Sequence, residues 1–338
     1  MRILLICNYK PGVGGISGQV EILQRKLREE GHTVDVFSTK ASVWKRLVML
    51  PKLRRTAKAY DVLHIHCCSG WGFLPAVLGV RAGNKLGKRV VLTYHGGGGE
   101  TFFDKHPRLV QKYLTRTDAN IVLSGFLAKV FEKHHLPYTI IPNIIELDAS
   151  HFRRRETLWP CYICIRAHEE LYNIPCILRA FQKVQKEIPD ASLTLVGAGS
   201  LHESLVQQAK SMGLKNVVFT GRVDNSQIFE FLDQADVMIS APKIDNMPVS
   251  LLEAMSAGVL VISSRVGGVP YMIEHQKSGL LFDAKELENE RVRELEKTML
   301  WAEEHQEECV KMIEAAKEEV KKYSWSHIRK LILPLYEV

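Results

Sequence analysis

Short apolar runs of strand length recur along the whole chain, and almost every successive pair is separated by a segment with helical periodicity. In the first half the strand-like runs are residues 2–8, 33–38, 61–66, 89–95, 119–124 and 138–142, with helical stretches at 17–30, 71–86 and 125–135. In the second half strands are expected at 162–166, 192–197, 216–221, 237–240 and 259–263, with helices at 174–188, 201–212 and 226–234. Strands apolar on both faces need cover on both faces, and crossover helices supply it, so the pattern calls for doubly wound parallel sheets of the α/β class. The 338 residues suit two Rossmann-like domains of about 150 residues each. The expected division is a first domain over 1–146, a linker over 147–160 carrying the basic run Arg153, Arg154 and Arg155, and a second domain over 161–322. After a charged helix at 303–322 the chain turns apolar again, and Trp325, Ile328, Leu331, Ile332 and Leu335 have the spacing of a docking face over 323–338.

Hydrophobic residues at 46% and charged residues at 25% fit an ordinary soluble protein, and no apolar run reaches the roughly 20 residues of a membrane span. Arg2 leads straight into a strand rather than a signal-peptide core, so a cytoplasmic protein is expected. The seven cysteines suggest no disulfide framework, and the Cys161 and Cys164 pair lies in a strand with no second pair to complete a metal site. The net charge of +7 is concentrated at 42–59, where Lys45, Arg46, Lys52, Arg54, Arg55 and Lys58 stand among Trp44 and several apolar residues. Two structures suit that composition. One is a helix lying on an anionic membrane surface through Trp44, Lys45, Arg46, Arg54 and Arg55, which would make the protein peripheral on the inner face of a membrane and favour a lipid-linked acceptor. The other is a helix packed on the sheet with a solvated basic face. No nucleic-acid motif accompanies the charge, so nucleic acid is not expected as a partner.

Ligands of doubly wound sheets sit outside the carboxyl ends of the strands. After the strand at 237–240, a loop leads to Pro248, which suits the first position of a helix ended by Gly258. The N–H groups of Val249, Ser250 and Leu251 would point out of that helix start and can hold an anionic group such as a diphosphate. Asp245 and Glu253, eight positions apart, bracket the helix start and could grip hydroxyls on either side of it. Gly267 and Gly268 form a loop without side chains where backbone can approach a ligand. Gly197 and Gly199, and Gly221 with Arg222, close neighbouring strands. In the first half the strand ends carry KPGVGGISG, then 67–71, then His95 followed by four glycines, then Ser124. His64 and His66 share one face of their strand and read as core or cleft-wall residues. The glycine loop nearly fits a dinucleotide fingerprint, with Gly12 and Gly14 in place, Ser17 where the third glycine belongs, and Asp35 near the position of a ribose-binding acid. An NAD(P)-dependent oxidoreductase is therefore one reading, and it leaves the second half unexplained.

The segment DNMPVSLLEAMSAGVLVISSRVGGVP resembles the nucleotide-sugar signature of the retaining family 4 glycosyltransferases, also called glycosyl transferases group 1. That family has the GT-B fold, with two facing Rossmann-like domains and a C-terminal helix crossing back to the first. The resemblance implies that Glu253 binds the ribose hydroxyls of a nucleotide-sugar and that Asp245, where the family usually has glutamate, faces the donor sugar. It places Arg166 on the diphosphate, and Gly197, Arg222, Asn246, Met247, Pro248, Val249, Ser250 and Leu251 around the donor. Gly14 and Gly15 would approach from the opposite wall, His95 would lie beside the sugar, and Gly96, Gly97 and Ser124 would belong to the acceptor side. The chain departs from the family at Val259, Leu260 and Tyr271, and the lysine expected after Arg166 falls at Leu171 or Tyr172, with Lys243 and Arg265 as candidate replacements. No DxD triplet occurs, so a bridging metal is not expected. The implied activity is hexosyl transfer from a UDP-sugar, or a GDP-sugar, to an acceptor hydroxyl with retention, in polysaccharide, glycolipid or cell-surface glycan biosynthesis. The departures leave a non-catalytic nucleotide-sugar-binding module as a further reading.

Overall fold

The structure is a computed structural model that describes residues 1–12, 14–40, 49–148 and 151–337. It divides into two compact units, Met1–Ile144 with Tyr323–Val338, and Ile145–Lys322. Among the described residues each unit holds one six-stranded sheet, and every strand pairing is parallel.

The first sheet contains β1 (Arg2–Cys7), β2 (Thr33–Ser38), β3 (Val62–Cys67), β4 (Arg89–Tyr94), β5 (Ala119–Val122) and β6 (Thr139–Ile140), in the order 2-1-3-4-5-6. Its helices are α1 (Ile16–Glu29), α2 (Met49–Ala57), α3 (Leu74–Leu86), α4 (Gly99–Lys105), α5 (Pro107–Leu114) and α6 (Gly125–Lys133). Alternation along the strands sends Leu4, Ile6, Leu63, Ile65, Leu92 and Tyr94 into one core, and Ile3, Leu5, Val62, Val91 and Ile121 into another. Both faces are therefore covered, as a parallel sheet requires. The strand order reverses between β1 and β3, so the loops after those strands diverge there.

The second core of this unit is completed from the far end of the sequence. A C-terminal helix, Trp325–Ile332, buries Ile328 and Ile332 on it, followed by Tyr336. Trp325 Nε1 donates to Glu30 at 2.9 Å, Arg329 pairs with Glu30 at 3.0 Å, and Arg89 Nε donates to the Leu335 carbonyl at 3.0 Å. Of the five residues expected to dock, Leu331 points outward instead.

The basic stretch is described only from Met49 onward; Trp44, Lys45 and Arg46 lie outside the described residues. In α2 the apolar positions Met49, Leu53 and Ala57 are four apart and all buried in the core, Arg54 is half-buried and Arg55 is exposed. The described part is thus a helix packed on the protein with a solvated basic face, and its apolar face is not available to lie in a bilayer. Among the described residues no helix is long and apolar enough to cross a membrane.

The second sheet contains β7 (Cys161–Ile165), β8 (Ser192–Val196), β9 (Val217–Gly221), β10 (Val237–Ser240), β11 (Leu260–Ser264) and β12 (Leu280–Phe282), ordered 12-11-10-7-8-9. It is flanked by α7 (Ile174–Glu187), α8 (His202–Ser211), α9 (Ile228–Asp233), α10 (Val249–Ser256), α11 (Glu288–Glu304) and α12 (Gln306–Glu319). The charged helix expected at 303–322 is broken at His305, giving α11 and α12. Here the order reverses between β7 and β10.

The stretch read as a linker clusters with this unit, because Arg155 is buried in it. Its guanidinium donates to the Leu232 and Ala235 carbonyls at 3.2 and 2.5 Å, beside the end of α9, and to the Ala257 and Gly258 carbonyls at 2.9 and 2.7 Å, beyond the end of α10. Asp236 accepts from Arg155 Nε at 2.8 Å, from Arg153, and from the Trp159 N–H at 2.8 Å. A cation at two helix carboxyl ends satisfies orphan carbonyls and offsets both helix dipoles.

Candidate active site

The β7/β10 reversal brings Arg166, at the end of β7, against Ser240, at the end of β10. Arg166 Nε and Nη2 donate to Ser240 Oγ at 3.1 and 2.9 Å, and Nη1 lies 3.0 Å from Asp245 Oδ2. The guanidinium is only 8% exposed and lies over the Tyr172 ring at 5.2 Å. Tyr172 is one of the two positions to which the resemblance assigns a lysine, and here its ring faces the guanidinium. Neither candidate replacement is loose: Lys243 Nζ pairs with Glu170 at 2.7 Å, and Arg265 Nε with Asp283 at 3.4 Å.

Helix α10 starts beside this group. Pro248 is its N-cap in extended conformation (φ −67°, ψ 114°) and Val249 is the first helical residue, one position later than expected. The Leu251 N–H is taken by the Pro248 carbonyl at 3.2 Å, which leaves the N–H groups of Val249 and Ser250 to meet a ligand rather than all three. Asn246, Met247 and Leu251 are turned inward, so they line the loop by backbone rather than by side chain. Among the described residues, Ser250 Oγ and Asp245 Oδ2 are buried here without a hydrogen-bond partner, the latter because its ion pair with Arg166 is not aligned as a hydrogen bond. Native interiors seldom leave such atoms unsatisfied, so they point to a polar guest.

Glu253 lies on the same helix, part-exposed but surrounded by enough protein that desolvation pushes its carboxyl up to about 7, against a smaller opposing pull from Arg166. The folded state therefore holds a proton that the unfolded chain, titrating at 4.5, releases. Glu253's contribution to stability is full below pH 4.5 and lost as pH rises through 7, about 3 kcal/mol in all. Unfolding titrations of the unliganded protein between pH 4 and 8 should show this fall relative to Glu253→Gln; parallel curves would contradict it.

The glycines also have a packing role that their spacing did not announce. A Cβ on Gly197 (φ 142°) would stand 1.9 Å from the Arg166 carbonyl oxygen, and one on Gly267 (φ 52°) would stand 1.9 Å from that of Asp245. They let the backbone of the site itself close up. Gly267→Ala is expected to displace Asp245 and cost about 1–3 kcal/mol of stability; an unchanged melting curve would show that the loop yields freely. Arg222 is exposed just past the edge strand β9, two strands or roughly 10 Å from β7, and is not brought into the Arg166 group.

In the first unit Gly14 and Gly15 are exposed and Gly15 (φ 69°) caps α1. Their loop is tied by Ser17, whose Oγ accepts from the Lys10 N–H at 3.1 Å, and by Glu21, which the spacing did not single out and which accepts from Gly12 N–H at 3.1 Å and Tyr9 OH at 2.9 Å. Asp35 is held mid-strand by Tyr60 OH at 2.7 Å, with Arg28 at 3.6 Å, which removes the ribose-binding acid of the dinucleotide reading. His95 follows β4, its N–H donating to the Cys67 carbonyl at 2.8 Å and its Nε2 lying 3.0 Å from His66 Nδ1. Gly96 and Gly97 follow it, and Ser124 is the buried N-cap of α6. Ser240, which holds Arg166, was missed; a polar residue ending an apolar strand at a reversal point would have marked it.

Residues 160–319 match the model of glycosyl transferases group 1 and residues 13–149 that of glycosyltransferase family 4. The chain is similar to N-acetyl-alpha-D-glucosaminyl L-malate synthase of Bacillus anthracis, 28% identical, with 83% of this chain and 84% of that one covered. It is also similar to a GDP-mannose-dependent alpha-(1-6)-phosphatidylinositol monomannoside mannosyltransferase of Mycobacterium tuberculosis, 23% identical over 85% and 86% of the two chains. Its fold matches that of Anabaena HepE in complex with UDP and glucose, with a TM-score of 0.80 at 17% identity over 99% and 98% of the chains. With both halves matched and the GT-B fold in place, the chain belongs to the family 4 glycosyltransferases.

Proposed function

We propose that the protein moves a hexosyl group from a nucleoside-diphosphate sugar, by preference a UDP-sugar, to an acceptor hydroxyl with retention at the anomeric carbon. The observation that carries this reading is the group formed by Arg166, Ser240, Asp245, Glu253 and the start of α10, with two buried polar atoms unsatisfied. Cleaving the sugar–phosphate bond builds negative charge on the leaving diphosphate. Arg166 and the N–H groups of Val249 and Ser250 are the preorganised donors for that charge. Diphosphate binding competes with Asp245 for the guanidinium, which frees Asp245 to accept from a sugar hydroxyl. Glu253 suits a ribose diol, whose two O–H donors favour the carboxylate form and release its proton. Retention corresponds to attack from the face the diphosphate leaves, with a phosphate oxygen taking the acceptor's proton. These roles use side-chain and backbone donors alone, so the reading includes transfer without an essential metal.

The HepE match, 17% identical, carries UDP and supports the UDP preference, while the mycobacterial relative, 23% identical, is named for GDP-mannose and keeps a GDP-sugar within the proposal. The glycolipid character of that relative supports an acceptor in glycolipid or cell-surface glycan synthesis. Exposed Arg55 and its basic neighbours on α2 would add electrostatic attraction to an anionic membrane. A thermal-shift panel with UDP, GDP, ADP, CMP and NAD, each with magnesium and with EDTA, tests the reading. Stabilisation by UDP that survives EDTA supports it; stabilisation by NAD alone, or by UDP only with magnesium, overturns the corresponding part.

A further inference from the structure

The charge of the chain is divided unevenly between its two units. The first, Met1–Ile144 with Tyr323–Val338, holds 24 Lys and Arg against 10 Asp and Glu, a net +14. The second, Ile145–Lys322, holds 21 against 28, a net −7, and the two together give the chain's +7. Within the first unit the excess gathers at 49–116, where twelve Lys and Arg stand against three Asp and Glu, a net +9. All three acids are engaged elsewhere: Asp61 accepts from the Arg2 N–H at 2.8 Å, and Glu100 and Asp104 pair with Lys133 at 3.2 and 2.9 Å.

Three helices turn this excess outward. α2, α3 and α5 bury their apolar sides in one core, and α3 packs against both of the others. Away from that core each carries a pair of exposed cations three or four positions apart, one turn along the helix: Lys52 and Arg55, Arg81 and Lys85, Arg108 and Lys112. The three helices contain no acidic residue, and among the described residues none of the six cations has an ion pair. In the second unit, by contrast, Arg179, Lys183 and Lys243 are each paired with a glutamate.

Helices in contact lie about 10 Å apart, so the three rows span about 20 Å. The Debye length at physiological salt is about 8 Å, so a single phosphate or carboxylate leaves most of the array unneutralised, whereas an extended anionic surface meets all of it. We propose that the outer face of α2, α3 and α5 docks the protein on an anionic lipid surface. The opposite charge of the second unit decides which part of the molecule approaches. The contact is electrostatic, because the apolar sides of the three helices are taken up by the core. The three helices expose no aromatic ring, the platform on which single-stranded nucleic acid stacks. The choice of lipid as the anionic partner rests on the glycolipid reading above; the basic face does not.

The test is co-sedimentation of the full chain with phosphatidylcholine vesicles, with and without about one third phosphatidylglycerol, at about 0.15 M salt. Pelleting is expected only with the anionic lipid and should fall steeply as salt is raised. Arg81→Gln with Lys85→Gln on α3, and Arg108→Gln with Lys112→Gln on α5, should each weaken binding at least about tenfold. Lys210→Gln with Lys215→Gln, equally exposed but on the second unit, should not weaken it. The altered side chains lie in solvent, so these variants should melt with the unaltered protein; if one pair does not fold, the other still decides. Equal pelleting with both vesicles, no pelleting, or undiminished binding in both first-unit pairs overturns the proposal. So does tighter binding of duplex DNA than of anionic vesicles, or a salt-sensitive dimer that the same substitutions dissolve. Those results would make the partner a nucleic acid or the acidic unit of a second copy. Because pelleting needs no turnover, a protein that docks through this face and transfers no sugar counts against the transferase reading and not against this one.

Discussion

Arg155→Leu is expected to destabilise the second unit by about 3–5 kcal/mol, a large share of the roughly 5–15 kcal/mol that holds a typical domain folded. The side chain is 4% exposed, and its loss removes a cationic donor from the carbonyls of Leu232, Ala235, Ala257 and Gly258 and one of the two guanidinium partners of Asp236. The carbonyls at the two helix ends are the costly part, because Asp236 keeps Arg153 on the same Oδ1 and the Trp159 N–H on Oδ2. Arg155→Lys should recover little, since a single ammonium cannot reach carbonyls at two helix ends at once. The check is denaturant unfolding followed by tryptophan fluorescence, with the two units resolved as separate transitions. A loss below about 1 kcal/mol would mean that water replaces the guanidinium.

The second large effect is on chemistry. Arg166→Ala should lower kcat for sugar transfer by about 10²–10³ and weaken UDP binding by at least tenfold, because the cation that meets the developing diphosphate charge is gone. Asp245 and Glu253 would then share the pocket without a cation. Glu253 should hold its proton to higher pH than in the unaltered protein, since Arg166 is the group that lowers it. Folding should survive, since Arg166 bonds to Ser240 and Asp245 rather than to the core. If kcat falls while UDP affinity is unchanged, Arg166 acts only in the transition state; if neither changes, the diphosphate is bound elsewhere.

Both sheets could be read from alternation and length, because β1 to β5 and β7 to β11 are each four or more residues of nearly continuous apolar character. β12 has three residues and passed unnoticed, as did α4 and α5, which run from Gly99 to Leu114 with a break before Pro107 and are each too short for periodicity to register. The carboxylates and proline of the donor loop were legible because their spacing along one helix is local. The rest of the site depended on partners distant in sequence. Arg155 looked like linker charge because its acceptors are mostly backbone carbonyls 77 or more positions away. His66 was legible as a neighbour of His64, but its bond to His95 needs the β3–β4 register that sets His66 opposite Thr93. Gly267 was read for the approach of a ligand, and its tight packing on the Asp245 carbonyl, like that of Gly197 on the Arg166 carbonyl, depends on contacts distant in sequence.

Amide hydrogen exchange with and without UDP, in EDTA, tests the central claim most directly, since it asks where the nucleotide sits before asking what it becomes. The account expects slowed exchange in three stretches of the second unit: residues 166–172 after β7, 243–253 across the start of α10, and 265–269 beside Asp245. Protection confined to residues 9–18, above all if NAD produces it and UDP does not, would contradict it and return the glycine loop of the first unit to the centre of the problem.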